Sequence, residues 1–238
     1  MNLTIAWITA RALLGRKRVL LLLPLPLLVI GLTLIAHALR PDRADRWAQP
    51  IIDGLGFSVM IPVTALIIGT AVLGAEIEDG TIVHILAKPL HRSEIILAKL
   101  AVSVGIIGTF SAVPMFVAGT VTDSVRFGLA LAVASFVAAL GYAAVFLVMS
   151  LLTRRPVLIG LAYVLLWEGL LGNLLDSTRQ LSIHQYALTV AAKIAPSDLL
   201  HTHVGLPVSL IMTAVFLVAG TVLAIDRLRS FTLTGETS

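Results

Sequence analysis

Six stretches of this chain run for about the length of a membrane crossing almost without charge: Val19–Leu39, Leu55–Gly74, Leu100–Val121, Phe127–Leu152, Val157–Leu175 and Leu206–Ile225. A single formally charged residue, Glu168, interrupts them. Roughly 20 apolar residues in helical form span the ~30 Å hydrocarbon core of a bilayer. The runs are continuous, whereas a β-barrel would show alternating segments of ~10 residues. A helix satisfies every backbone polar group within its own segment, which a bilayer demands. Hydrophobic residues make up 58% of the chain and charged residues 13%. A soluble domain carries roughly 25% charge. An ordinary soluble enzyme, a disordered chain and a fibrous repeat are thereby excluded. The expected fold is an all-α integral membrane protein of six transmembrane helices, one domain over residues 1–238.

The distribution of Lys and Arg sets the expected orientation. With both termini cytoplasmic, eleven of the 17 basic residues fall on the inside, with the Arg154–Arg155 pair in a short inner turn. Cytoplasmic loops carry such an excess. The net charge of +4 is therefore assigned to membrane topology rather than to nucleic acid. Cysteine is absent, so the chain has no disulfide framework and no thiolate metal site.

Residues 2–15 precede the first run. Leu3, Trp7, Ala10 and Leu14 recur at spacings of three or four, and Arg11 with Arg16-Lys17-Arg18 supplies charge. This pattern predicts an interfacial helix in contact with lipid headgroups, anchored by Trp7. Arg16–Arg18, the apolar run behind them and Ala36-His37-Ala38 also resemble a signal peptide. The run is longer than a 7–15-residue h-region, so it is expected to be a retained first span.

The most informative stretch lies between the second and third runs, over residues 75–99. It holds Glu76, Glu78, Asp79 and Glu94 together with Lys88, Arg92 and Lys99. Asp79 or Thr81 can cap a short helix. Ile82, Ile85 and Leu86 make its apolar stripe, and Pro89 ends it. Ser93 then caps the third span, with Glu94 in its positive first turn. Spacing alone leaves two readings open: a helix displayed for a partner, or a solvated charged loop.

Glu76-x-Glu78-x-Gly80-Thr81, followed by Leu86, Pro89, Arg92 and Lys99, resembles the signature between the second and third spans of ABC type-2 transporter permeases. Here Ile77 stands where many members carry Arg. The six runs, the preceding amphipathic helix, the longer outer segment at 176–203 and Trp167-Glu168-Gly169 extend the resemblance over nearly the whole chain. It implies a permease subunit, with export as the expected direction. Two permeases, here a homodimer, would form the pathway in a prokaryotic plasma membrane. A separate ABC ATPase would dock on the cytoplasmic coupling loop through Glu76, Glu78, Asp79, Gly80, Thr81, Ile82, Ile85, Leu86, Pro89 and Arg92. The chain has no Gly-x-x-x-x-Gly-Lys-Ser/Thr loop to cradle phosphates. ATP and Mg are accordingly expected on the partner, with no cofactor bound by this chain.

Glu168 is read in two ways. An acid at membrane depth costs roughly 2.5–3.5 kcal/mol on insertion scales and marks a functional site by default. It can meet a cationic or hydroxyl-bearing substrate, or it can hold a neighbouring span or subunit. Gly169, Gly172 and Asn173 allow close helix approach beside it, and Asn173 joins Glu168 as a candidate for the pathway or interface. His184, His201 and His203, near Asp176 and Asp198, match no standard metal spacing. Pro196-Ser197-Asp198 reads as the cap of a short outer helix, Leu199–His203. Gly105, Gly108, Gly128, Ala132 and Ser135 read as helix packing. Two other functions remain as alternatives. A membrane-embedded enzyme would need paired catalytic groups; Glu168 has no Asp, Glu, Lys or Arg companion within the runs, and His37, at the end of the first run, is too isolated to pair with it. A scaffold coupling an ATPase to an outer partner is the other.

Overall fold

The computed structural model describes residues 3–15, 22–78, 91–153, 155–171 and 181–230. Among them the chain is helical throughout, with no strand. Helix α1 is Leu3–Leu14, α2 is Pro24–Leu39 and α3 is Ala44–Gln49, entered through a tight turn at Pro41–Arg43. Wide, π-type turns over Pro50–Met60 lead directly into α4, Ile61–Glu78. Helix α5 is Arg92–Thr122 and α6 is Val125–Leu152. Helix α7, Pro156–Ala162, continues into a second π-type stretch, Tyr163–Leu171. Helix α8 is Ile183–Ile194 and α9 is Leu206–Ser230.

Four helical segments among the described residues are long and apolar enough to cross a membrane: Pro41–Gly74, Arg92–Thr122, Val125–Leu152 and Leu206–Leu228. Two apolar helices, Pro24–Leu39 and Pro156–Glu168, are shorter. Several bounds differ from the sequence expectation. The second span is a single 34-residue helical run beginning at Pro41, with Arg43, Asp45, Arg46 and Asp53 on its first turns. The third begins at Arg92 rather than Leu100. His91 occupies the cap position without a side-chain bond, and Ser93 lies inside the helix.

Helix α6 is the hub. It packs against α4, α5, α7, α8 and α9, and 67% of its most apolar window is buried, against 22% for α9. Its small residues explain how it serves so many neighbours. Where α5 turns into α6, the two backbones pass so closely that a Cβ on Gly119 would lie 2.6 Å from the Gly128 Cα. Gly108 likewise takes the Phe136 ring, while Gly105 meets nothing within 4 Å and so has no packing role here. Phe127, Leu131, Ala134, Ala138, Tyr142 and Phe146 form the buried stripe of α6. Small side chains substitute for the hydrophobic drive that lipid removes between helices.

Helix α1 packs on α5 and α4. The face turned to the bundle carries Thr9 and Leu13, whereas Trp7 is 62% exposed. The Arg11 guanidinium sits 5.2 Å from the Trp7 ring centroid, a cation–π contact on the outward face.

Candidate functional site

Helix α8 is the element that positions the site. Its first turn has four N–H groups without intrahelical partners, and its dipole is positive there. Ser182 is the capping residue, its Oγ accepting from the Gln185 N–H. Glu168, from the π-type end of the fifth apolar run, answers one more of them and the cap itself. The Ser182 hydroxyl donates to Glu168 Oε2 at 2.5 Å. The Ile183 N–H donates to Glu168 Oε1 at 3.1 Å. Gly141 of α6 makes this approach feasible: a Cβ there would lie 2.9 Å from the Ile183 side chain. The acid of the fifth apolar run therefore grips α8 of its own chain.

The same carboxylate sits among aromatic residues. The chain has three tyrosines, and Glu168 acts electrostatically on all of them: Tyr142, Tyr163 and Tyr186. Tyr142 stacks on Phe146 at 6.0 Å between centroids, and Phe146 meets Tyr163 edge-on at 6.2 Å. Tyr142 is fully buried. The hydroxyls of Tyr142 and Tyr163 are buried and face the Glu168 carboxylate, which can accept from them, while Gln185 Oε1 is buried with no hydrogen-bond partner among the described residues. Burial, reinforced by the Glu168 charge, pushes the Tyr186 phenol of α8 up to about 12 from its ordinary 10.

A second acid holds the next residue of α8. His184 Nε2 and Asp53 Oδ1 are 2.5 Å apart, and Asp53 stands on the π-type turns that precede α4. One turn earlier, Gln49 Nε2 lies 3.3 Å from His201 Nδ1. Arg126, in the first turn of α6, donates to the Ile194 carbonyl at 3.0 Å. Trp167 Nε1 donates to the Leu181 carbonyl at 3.4 Å. The segments expected outside the membrane thus converge at one end of the bundle. The helix expected at Leu199–His203 is instead a turn with an irregular exit; Ser197 Oγ accepts from the Leu199 N–H, and the regular helix of this segment is α8. The histidines are spoken for separately, and no three His, Cys, Asp or Glu side chains among the described residues form a metal-binding group.

At the opposite end, α4 leaves and α5 enters. Glu76 and Glu78 lie in the last turn of α4, and Arg92 opens α5 half-buried. Asp79, Gly80, Thr81, Ile82, Ile85, Leu86, Pro89 and Asn173 lie outside the described residues. Lys99 is fully buried in α5, and its Nζ donates to the Val72 carbonyl of α4 at 2.9 Å. An ammonium at this depth requires such a bond, and it ties together the two helices on either side of residues 79–90.

Residues 14–174 match the family model described as ABC-2 family transporter protein. The chain belongs to the ABC-2 transporter family. The match takes in five of the six apolar runs, the stretch 75–99 and Glu168, and it stops before α8 and α9. This ABC-2 chain is therefore a transporter membrane subunit, multi-pass and helical, rather than a catalytic enzyme. Comparison with curated proteins gives no match.

The tyrosine cluster, the contact of Asp53 with His184 and the particular bonds of Glu168 to α8 are not legible in the sequence. A search for charged companions passes over tyrosine, although all three tyrosines of the chain gather around one acid. Ser182, followed by Ile183, Tyr186, Ala187, Val190 and Ala191 at helical spacing, carries a cap-and-stripe signal. His184, Gln185 and Lys193 kept it out of a search for charge-free runs.

Proposed function

We propose that the chain is the permease subunit of an ATP-driven exporter in a prokaryotic plasma membrane. It crosses six times with both termini cytoplasmic, and it pairs with a second copy to enclose the pathway. The match over residues 14–174 carries this reading, because it includes the stretch 75–99. ABC-2 permeases generally work with ATP-binding subunits, and this sequence has no phosphate-cradling loop of its own. The apolar stripe of Ile82, Ile85 and Leu86 would dock on the ATPase, with Glu76, Glu78, Asp79, Gly80, Thr81, Pro89 and Arg92 shaping or supporting the contact. ATP and Mg would be held by the partner. Lys99, bonded across to α4, is placed to pass a push on that stretch into two spans at once.

The test is co-extraction with the ATPase in mild detergent, followed by reconstitution. Wild-type chain should retain the ATPase and raise its rate of ATP hydrolysis. Ile85→Asp should leave the permease folded and remove both effects. Normal association and hydrolysis in that variant would overturn the docking assignment.

A further inference from the structure

We propose that the corner between α2 and α3 binds a phospholipid whose headgroup joins a phosphodiester to a hydrogen-bond donor, with Arg40 and Arg43 holding the phosphate and Asp42 the donor. The inference goes beyond the permease reading and needs only that the apolar runs lie in a bilayer.

The corner is braced by its own backbone and aromatic rings. Helix α2 ends at Leu39, the chain turns through Pro41–Arg43, and α3 begins at Ala44. The Arg40 carbonyl accepts from the Arg43 N–H at 3.3 Å and from the Trp47 indole at 3.2 Å. The His37 ring meets Trp47 edge-on at 6.4 Å between centroids. These contacts leave the side chains of Arg40, Asp42 and Arg43 to other uses. A cavity of about 300 Å³ opens between them, lined by Leu39, Arg40, Pro41, Asp42 and Arg43.

Three observations select the guest. The first is charge. Arg40, Arg43 and Arg46 stand close together with Asp42 and Asp45 between them, yet among the described residues no carboxylate forms an ion pair with any of the three. Guanidinium forks match phosphate oxygens. The second is depth. Roughly 20 apolar residues fill the hydrocarbon core, and the run Val19–Leu39 ends directly at Arg40. The cavity therefore stands at the level of the lipid phosphates. The third is an apolar track. Leu28, Leu32, Ile35 and Leu39 recur on one face of α2, and their exposure rises from 43% at Leu28 to 75% at Leu39. Leu39 belongs to both the track and the cavity, so an acyl chain on the track leads to a headgroup in the cavity. Asp42 sharpens the choice. A carboxylate only accepts, so the headgroup must present a donor beside its phosphate. Phosphatidylethanolamine has an ammonium and phosphatidylglycerol has hydroxyls, whereas phosphatidylcholine has neither. A free phosphate leaves both Asp42 and the track unanswered.

The full chain, stripped of lipid in mild detergent, is titrated with the dilauroyl forms of these lipids, and bound lipid is followed by native mass spectrometry. The ethanolamine and glycerol lipids should bind saturably and about fivefold tighter than the choline lipid. Arg40→Ala combined with Arg43→Ala should weaken the ethanolamine lipid about tenfold. Asp42→Ala should bring all these lipids within about twofold of one another, a loss of selectivity that a structural role would not produce. Arg46→Ala removes a charge of the same cluster outside the cavity, and should bind within about twofold of wild type. The substituted side chains are exposed, so every variant should keep the wild-type unfolding midpoint in detergent. Glycerophosphoethanolamine, the same headgroup without acyl chains, and inorganic phosphate should not bind measurably. The proposal is overturned if the double arginine variant binds unchanged, if the choline lipid binds as tightly as the others, or if Asp42→Ala keeps the selectivity. It is equally overturned if Arg46→Ala costs as much as the arginine pair, which would make net charge the cause. Binding of inorganic phosphate or glycerophosphoethanolamine as tight as that of the lipid would make the corner a phosphate site and overturn the lipid.

Discussion

The α5–α6 hairpin and the outer end around α8 are held together by opposite means. In the hairpin the contact is steric: Gly119 and Gly128 let two backbones touch, and Phe127, Leu131 and Ala134 fill the space behind them. No charge is involved, and an added methyl has no room. At the outer end α8 is secured by two acids, Glu168 on Ser182 and Ile183 and Asp53 on His184. Each acid stands on a stretch of π-type turns, at Tyr163–Leu171 and Pro50–Met60. Such turns are rare in helices and frequent at functional sites. The hairpin is held by steric fit, and the α8 end by polar bonds.

Perturbing the hairpin should have the larger effect. Gly119→Leu forces a side chain into the Gly128 backbone, which cannot rotate away. A loss of about 3 kcal/mol is expected from overpacking of this kind, seen as a lower midpoint in detergent unfolding and little folded protein. Gly105→Leu is the matched control, since nothing lies within 4 Å of it, and it should unfold like wild type. Equal damage by the two would show that close backbone approach is not what holds the hairpin.

The next effect is at the clasp. Glu168→Leu strands the Ser182 hydroxyl and the Ile183 N–H, at a cost of about 1–3 kcal/mol. Hydrogen exchange should rise in α8 and remain unchanged in α6. Asp53→Asn weakens a partly exposed contact and should cost only about 0.5 kcal/mol. A larger loss for Asp53→Asn than for Glu168→Leu would reverse the ranking of the two grips.

The smallest effect is in pH dependence. The folded state holds Tyr186 protonated up to about 12, against 10 in the unfolded chain. Between those values the folded chain binds the extra proton, so stability contributed below pH 10 is lost as pH rises towards 12. Tyr186→Phe removes that contribution, and its thermal midpoint should fall less steeply over this window than that of wild type. Parallel slopes would contradict the assignment.

The contrast also explains what could be read from the chain directly. The scaffold was legible, because desolvation of the backbone permits little besides helices where charge is missing, and Val125–Leu152 falls within two residues of its expected bounds. The third helix starts eight residues earlier than expected, because a search for uncharged runs stops at Lys99, whereas the helix extends back to Arg92 with that ammonium bonded to Val72. Glu168 was conspicuous in the sequence. Its grip on Ser182 and Ile183 was not, since it depends on Gly141 bringing α8 against α6. The outer clasp joins residues 14 and 15 positions apart, with Asp53 and His184 separated by 131. No local periodicity reports such pairings.

The proposed topology puts the two ends of the bundle in different compartments, with the stretch at 75–99 on the cytoplasmic side and α8 on the other. Native cysteine is absent, so single cysteines can be read without background. Ile85→Cys and Ser197→Cys are introduced separately and exposed to a membrane-impermeant maleimide, in intact cells and in opened membranes. Ser197→Cys should react in intact cells. Ile85→Cys should react only after the membrane is opened, and it should be protected when the ATPase is bound. Labelling of Ile85→Cys in intact cells, or of both positions from the same side, would contradict the account.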